Sequence, residues 1–172
     1  MRRRVGKGII LLPGNVESPF NYPNNTYHFR QDSTFLYFFG HSVPSLVGVI
    51  DTESGVDALY GDDFTVEDII WMGPQPTIRD FADRVGVAEA KPMAQLVVDV
   101  QRAIALGREV HYLPPYRGET KLMLSDLLGI KPEMLHARKS IDLLFAVAEM
   151  REKKGAEELA ALEEAFEIGY QM

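Results

Sequence analysis

Cysteine is absent from this sequence of 172 residues, and tryptophan occurs once. Without cysteine the chain can form no disulfide bond, thiolate nucleophile or cysteine-ligated zinc site. Long apolar runs are also lacking, since no segment approaches the roughly 18 continuous apolar residues of a membrane span. The basic run Arg2–Arg4 is followed by Gly6-Lys7-Gly8, which interrupts the apolar stretch of roughly 7 to 15 residues that a signal peptide needs. We therefore expect a cytoplasmic protein without a membrane segment.

Basic residues are outnumbered by acidic ones. The chain has 18 lysines and arginines against 25 aspartates and glutamates, for a formal net charge of −7. Nucleic-acid binding depends on clustered basic side chains that neutralise phosphates, so this balance argues against a nucleic-acid partner. Residues 142–172 hold eight of the acids and only three basic residues. The pattern predicts an acidic C-terminal helical arm, either as a solvated face or as an acidic recognition surface.

Apolar residues fall into short runs separated by turn residues. They make up 46% of the chain, enough for the core of one domain. Strands are predicted at 8–12, 46–50, 57–60 and 109–113, the middle two as a hairpin. Helices are predicted at 65–71, 77–85, 96–106 and 122–128. Turn-forming residues predict a loop over 13–26, and the aromatic segment 33–39 fits either a helix or a strand. Strands alternating with helices beside one hairpin predict an α/β layered domain, with a mixed β-sheet flanked by helices.

The C-terminal segment has a helical apolar stripe without a helix stop. Its members are Leu159, Leu162, Phe166, Gly169 and Tyr170. An amphipathic helix that lacks a terminating cap suggests continuation into another domain. We therefore predict an α/β domain over residues 1–150 and a linker helix over 151–172 that leads into a second domain.

No complete catalytic set can be assembled from the polar residues. The sequence has no HExxH zinc motif, no GxSxG nucleophile elbow and no Gly-rich loop after a strand. Asp62-Asp63 lies between a strand and a helix, a position that favours capping over acid–base work. We predict no catalytic residue in this chain.

The histidines match no known metal motif. His111 lies in an apolar strand, which is typical of a hydrogen-bonded core imidazole. His28 and His41 flank the aromatic segment and could converge with Asp32, but the local sequence supplies no further ligand. The prediction is therefore no metal site and no cofactor in this chain.

One stretch is more specific than any of these patterns. Residues Tyr27–Gly40 read Tyr-His-Phe-Arg-Gln-Asp-Ser-Thr-Phe-Leu-Tyr-Phe-Phe-Gly, and Pro44 and the apolar run 46–50 follow. This closely resembles the N-terminal domain of the aminopeptidase P family, where Tyr-Pro-[Tyr/Phe]-Arg-Gln-[Asn/Asp]-Ser-x-Phe-x-Tyr-[Phe/Leu]-x-Gly precedes a proline and an apolar strand. His28 stands in place of the usual proline.

Two further segments resemble that family in the same order. Residues 67–73 are similar to its Glu-x-x-Trp-x-Gly, with one extra residue before Trp71. Residues 150–159 are similar to the Met-Arg-x-x-Lys-Ser-x-x-Glu-Ile hinge that leads into the catalytic domain, with Gly155 in place of the serine. The resemblance therefore covers nearly the whole chain.

The resemblance implies a fold of the creatinase/prolidase N-terminal type, which is ribonuclease H-like. It also implies that this chain is the non-catalytic half of a Xaa-Pro aminopeptidase. The other half would be a pita-bread domain in which two Asp, one His and two Glu bind two divalent metal ions, usually manganese. The implied partners are that catalytic domain, further copies of the chain in a homo-oligomer, and a peptide substrate of the parent. Because prolidase and creatinase share the architecture, the family is better defined than the substrate.

Trp71 is the one residue for which the resemblance implies a role. A buried core tryptophan is one interpretation. The other is that Trp71 lies on a loop that lines the active-site entrance of a neighbouring subunit, serving substrate access or the interface. A competing hypothesis for the whole chain is a free-standing α/β binding module that recognises a small ligand or partner without peptidase activity.

Overall fold

The computed structural model describes residues 1–172. The strands are β1 (Ile9–Pro13), β2 (Pro19–Tyr22), β3 (Asn25–Thr26), β4 (Val47–Asp51), β5 (Asp57–Tyr60), β6 (Glu89–Lys91) and β7 (Val110–Tyr112). The helices are α1 (Arg2–Val5), α2 (Ser33–Phe39), α3 (Val66–Met72), α4 (Ile78–Arg84), α5 (Met93–Ala105), α6 (Gly118–Leu128), α7 (Ile141–Glu152) and α8 (Ala156–Gln171). A short 3-10 helix covers Pro132–Met134. No helix is both long enough and apolar enough to span a membrane.

Five strands form one mixed sheet in the order β6-β5-β4-β1-β7. β1 pairs antiparallel with β4 and parallel with β7, while β5 pairs antiparallel with β4 and parallel with β6. Only β4 therefore runs against the other four strands, whose carboxyl ends all lie at one edge of the sheet. We call this the carboxyl edge. The predicted α/β layered fold with a mixed sheet is confirmed, and so is the hairpin formed by β4 and β5.

β1 sends successive side chains into two separate cores. Ile10 and Leu12 pack on one face of the sheet with residues of α1, α2, α4 and α7. Ile9 and Leu11 pack on the other face with residues of α5 and α6. A strand covered by helices on both sides needs apolar residues at every position, and the continuous apolar run of β1 supplies them.

The aromatic segment forms α2, which resolves the choice between helix and strand. Asp32 caps the helix by accepting hydrogen bonds at 2.9 Å from the backbone N–H groups of Thr34 and Phe35. One turn apart, Phe35 and Phe39 stack with their ring centroids 5.2 Å apart. The ring of Phe39 lies directly over Gly48 of β4, where an added Cβ would come within 2.0 Å of it. Only glycine allows this close approach of helix and strand.

Two strand regions are absent from the sequence prediction. The segment predicted as a loop over 13–26 contains the β2–β3 hairpin, all of whose residues are at least partly exposed. Residues 89–91 form the edge strand β6, although only three residues pair there. Both elements are too short or too exposed to produce an alternating apolar pattern, so hydrophobic periodicity does not reveal them.

The paired carboxylates after β5 are caps, as predicted, but they cap helices distant in sequence. The Asp63 side chain accepts a hydrogen bond at 2.7 Å from the backbone N–H of Ile78, at the start of α4. The Asp62 side chain accepts one at 2.9 Å from the backbone N–H of Met93, at the start of α5. The loop after β5 thus holds the N-termini of two helices at the carboxyl edge.

A charged cluster joins the β4–β5 turn to the start of β7. Arg108 donates to Asp51 at 2.6 Å and to Glu53 at 2.5 Å. Partial burial raises the pKa of the Asp51 carboxyl, but hydrogen bonds from Arg108 and from the backbone N–H groups of Ser54 and Glu53 outweigh that effect. Together they lower its pKa to about 2. The folded chain therefore holds Asp51 as a carboxylate.

We predict that Asp51→Asn lowers the free energy of unfolding by about 1 to 3 kcal/mol near neutral pH, because Arg108 loses its charged acceptor. A pKa that is lowered on folding stabilises the folded chain above the unfolded-state value, about 4 for Asp. That contribution is lost as the pH falls through the folded-state pKa of about 2. Urea unfolding across this pH range should therefore show the wild-type advantage over Asp51→Asn shrinking toward zero.

Glu163→Gln, in the exposed helix α8, is the matched control and should leave the free energy of unfolding unchanged. A difference between wild type and Asp51→Asn that stays constant from neutral pH to about pH 2 would contradict the assigned pKa shift.

Candidate functional site

Trp71 lies on α3, a seven-residue helix that stands out from the body of the domain. No residue of α3 is buried, and the Trp71 side chain is 84% exposed. Val66 and Ile70 on the same helix are each 76% exposed. Trp71 is therefore not a core residue of this chain, and it belongs to a group of exposed apolar residues on this helix, which we call the α3 patch (Val66, Ile69, Ile70, Trp71, Met72).

The helix keeps its shape through local hydrogen bonds rather than packing. Thr65 and Asp68 form a capping box: the Asp68 backbone N–H donates to the Thr65 hydroxyl at 3.2 Å, and the Thr65 backbone N–H donates to the Asp68 carboxylate at 2.8 Å. Hydrogen bonds from the side chain and backbone of Thr65 lower the pKa of Asp68. At the other end, the Gly73 N–H donates to the Ile69 carbonyl at 2.8 Å. These bonds satisfy helix-end groups without any burial.

α4 provides an internal comparison, because it has the same length and the same type of cap. Thr77 and Asp80 form its capping box, with a backbone bond of 2.8 Å from Thr77 to the Asp80 carboxylate. Unlike α3, however, α4 buries Ile78, Phe81 and Ala82 in the core. The two helices therefore differ in what their apolar residues contact, and only α3 leaves them to solvent.

The side chains of the α3 patch are suited to packing against another apolar surface. Its residues are apolar apart from the indole N–H of Trp71, and the acids of α3 are Glu67 and Asp68 at its first turn. Exposed aromatic and aliphatic residues grouped on one element are typical of interaction surfaces. The residues of the patch therefore offer apolar contact to whatever packs against them.

A second exposed apolar surface lies on α8. Every residue from 152 to 172 is exposed, including the predicted stripe of Leu159, Leu162, Phe166 and Tyr170. In contrast, α7 buries Leu143, Ala146 and Val147 in the core. The division into a domain over 1–150 and a linker helix over 151–172 stays a prediction, and the burial pattern changes close to that boundary.

The histidines do not converge. His111 is 3% exposed, with Nδ1 3.1 Å from the Ser140 hydroxyl and Nε2 3.3 Å from the Lys7 carbonyl, as expected of a core imidazole. His41 is buried with Nε2 2.7 Å from the Phe81 carbonyl. His28 is exposed.

Asp32, the remaining candidate ligand, is occupied as the cap of α2. No group of three or more His, Asp or Glu side chains lies close enough to hold a metal ion. Asp32 and His41 are thus both engaged in the fold, Asp32 with the first turn of α2 and His41 with the Phe81 carbonyl.

Sequence reasoning assigned a role to Trp71 but missed the rest of the α3 patch. A signal for it exists, since Ile69-Ile70-Trp71-Met72 are four consecutive apolar residues in a short helix. Four consecutive residues point to all sides of a helix, so they cannot all face one core. The sequence reasoning also missed the buried polar pair Asn15 and Gln31, which are 6% and 5% exposed.

Comparison with known proteins agrees with the fold. The family described as aminopeptidase P, N-terminal domain, matches residues 1–112. Aminopeptidase P from E. coli in its low-pH form matches with a TM-score of 0.72 at 22% identity, over 98% of this chain and 42% of that chain. Zinc-substituted E. coli aminopeptidase P in complex with product gives 0.74 at 21% identity, with the same coverage. Likenesses at this identity establish the fold.

Two fungal relatives match over a shorter stretch. A probable Xaa-Pro aminopeptidase of Aspergillus fumigatus is 30% identical over 98 residues, which are 57% of this chain and 20% of that protein. A probable Xaa-Pro aminopeptidase of Penicillium rubens is 31% identical over 101 residues, 58% of this chain and 20% of that protein. The chain thus spans about a fifth of the length of these relatives. Since the family match covers well over half of its residues and includes the Tyr27–Gly40 motif, the chain belongs to the aminopeptidase P N-terminal domain family.

Proposed function

We propose that this chain is the non-catalytic N-terminal domain of a Xaa-Pro aminopeptidase and that it contributes to subunit assembly and substrate access. Three observations support the proposal: the family of the domain, the names of its fungal relatives, and the short share of their length that it spans. The parent enzyme would hydrolyse the bond between an N-terminal residue and proline.

The observation that carries the assembly role is the exposure of the α3 patch. Trp71 is 84% exposed on a helix that is ordered by its own caps, so the ring is presented without help from the core. A rigid aromatic held in this way loses little conformational entropy when it is buried against a partner. It is suited to pack against a neighbouring subunit or against a substrate that contains proline.

In this proposal the metal-binding residues belong to the catalytic domain of the parent, and this chain contributes none of them. Two divalent ions, usually manganese, would be bound by the catalytic domain of the parent, and they would supply a bridging hydroxide as the nucleophile. The residues of this chain do not fit such a centre, because no three potential ligands of the right type lie together. We therefore assign no catalytic step to this chain.

The proposed partners are the parent's own catalytic domain and further copies of the same chain, in a cytoplasmic homo-oligomer. The open reading frame tests whether the first of these partners, the catalytic domain, exists. Several hundred further codons encoding two Asp, one His and two Glu in metal-binding positions would support it, whereas a stop codon after Met172 would favour the free-standing binding module.

Trp71→Ala is expected to change the thermal stability of this chain by less than about 0.5 kcal/mol, because the side chain has no core contacts to lose. Phe35→Ala is the matched control. Phe35 is fully buried, so its truncation should cost about 3 to 5 kcal/mol. Thermal unfolding of both variants provides the measurement, and a loss of about 3 kcal/mol or more for Trp71→Ala would place Trp71 in the core.

In the full-length parent, Trp71→Ala should weaken subunit assembly or peptide turnover while folding is retained. Sedimentation and steady-state kinetics of parent and variant distinguish these effects. Unchanged assembly together with unchanged turnover would remove the proposed role of Trp71.

The chain alone should not cleave Xaa-Pro peptides, even with added manganese, because it contains no group of residues that could bind the catalytic metals. The measurement is release of the N-terminal residue from a Xaa-Pro peptide. Turnover that survives repurification and scales with the amount of this protein would disprove the prediction.

Backbone amides of residues 155–172 should exchange with solvent faster than those of α7, because α8 buries no side chain and an isolated helix of this length is marginal in water. Hydrogen exchange measured on the monomer tests this expectation. Slow exchange throughout α8 in a demonstrated monomer would contradict it, while protection only in a dimer would mean that the apolar stripe binds a second copy.

A further inference from the structure

A cavity of about 440 Å³ opens at the carboxyl edge of the sheet, between α5 and α6. Its volume lies within the range of roughly 300 to 1,000 Å³ that is typical of small-molecule sites. In open α/β sheets, ligands bind outside the carboxyl ends of the strands, which is where this cavity lies. The cavity is concave and mostly apolar, and it lies on the opposite side of the sheet from α4. None of its lining residues belongs to the α3 patch.

The two helices that flank the cavity each contribute one face. Met93, Leu96 and Val97 of α5 follow the spacing of a single helical face. The residues contributed by α6 also share one face: Glu119, Thr120, Met123, Asp126 and Leu127. The floor is formed by buried core residues, namely Leu46, Val47, Leu96 and Leu127. The cavity is therefore built on the fixed framework of the domain.

The wall to which Gly14, Val16 and Ser45 contribute is held by a buried polar clamp. The Gln31 side chain accepts a hydrogen bond at 2.6 Å from the Asn15 backbone N–H and donates one at 2.8 Å to the Val43 carbonyl. The Gly14 N–H donates at 2.8 Å to the Leu46 carbonyl. A Cβ at Gly14 would come within 2.8 Å of that carbonyl, so the two segments meet as closely as glycine permits. A wall fixed in this way is organised before any ligand arrives.

Ser45 lines the cavity in an unusual backbone conformation. Its φ is 62°, and it is the only residue other than glycine with a positive φ. The Ser45 N–H donates at 3.0 Å to the Asn15 carbonyl, so the same clamp holds the strained residue in place. Unfavourable backbone conformations of this kind concentrate where a protein binds a ligand.

The charges at the rim of the cavity determine which charge on a ligand is favoured. Arg117 contacts the Ser18 hydroxyl and lies 3.6 Å from the Glu119 carboxylate, so both charges of that pair are compensated. Asp126 is exposed and has neither an ion pair nor a hydrogen bond. One uncompensated carboxylate beside an apolar cavity is complementary to a cation that carries an apolar group.

We propose that this cavity is a binding site for a small amphiphilic amine, whose apolar body lies on the floor between α5 and α6 and whose ammonium group faces Asp126. The site is separate from the α3 patch and does not depend on the proposed peptidase parent.

The test uses the 172-residue chain labelled with ¹³C at its methionine methyl groups, because Met93 and Met123 line the cavity and Met150 lies on α7. Hexylamine is titrated in comparison with 1-hexanol and hexanoate, which share the apolar chain but differ in charge. We expect saturable shifts of Met93 and Met123 but not of Met150. For a probe of this size, Kd should be on the order of 1 mM, with hexylamine about fivefold tighter than hexanol and hexanoate weakest.

Two variants connect these shifts to the cavity. Asp126→Asn should reduce the preference for hexylamine over hexanol to about one without weakening hexanol binding. Val97→Trp should block all three probes, since Val97 is half exposed at the cavity wall. Val98→Trp is the matched control: Val98 is similarly exposed on the same helix but lies outside the cavity.

Three results would overturn the proposal. The first is the absence of saturable shifts at Met93 and Met123 with hexylamine. The second is hexanoate binding as tightly as hexylamine. The third is equal binding by the Val97→Trp and Val98→Trp variants, which would place the probe elsewhere.

Discussion

The structure depends on the burial of β1 between two layers of helices. Its first four side chains, Ile9 to Leu12, enter one of two cores in alternation, and the strand pairs with β4 on one side and β7 on the other. All backbone polar groups of such a strand must be satisfied within the sheet, because water cannot reach them. The pairing in turn fixes Gly14 against Leu46 and brings Gly48 beneath the ring of Phe39. The helix α2, which belongs to the family motif, packs on one face of this sheet, where Phe35 and Phe39 contact the same core as Ile10 and Leu12 of β1.

The carboxyl edge concentrates the features on which the two proposals rest. Four strands end there, and the carboxylates that follow β5 hold the starts of α4 and α5. The loop between those caps carries α3, so the α3 patch is held at both ends while its apolar residues stay in solvent. The cavity between α5 and α6 opens at the same edge. A mixed sheet with a single reversed strand thus gathers loops and helix starts at one end, which leaves that end free for recognition.

Caps and burial have different roles in this chain. α3 and α4 have the same length and the same Thr-x-x-Asp capping box, yet one is exposed and the other is part of the core. The hydrogen bonds of the box determine that a helix begins, and they act equally well in solvent. Burial of Phe81 and its neighbours determines where α4 packs. Because α3 has no equivalent contacts, its apolar residues remain exposed, which is the physical basis for the proposed interface role.

The sequence by itself determined the layered α/β class, the β4–β5 hairpin, the buried character of β1 and His111, and the family, because each depends on local periodicity, turn chemistry or a contiguous motif. Only the tertiary structure decided that the aromatic segment is a helix, that Asp63 and Asp62 cap helices 15 and 31 residues away, respectively, and that Trp71 faces solvent. It also revealed the edge strand β6 and the clamp made by Asn15 and Gln31. These features depend on contacts between residues that are far apart in the sequence. Strand pairing determines those contacts, and local secondary-structure propensity does not predict them.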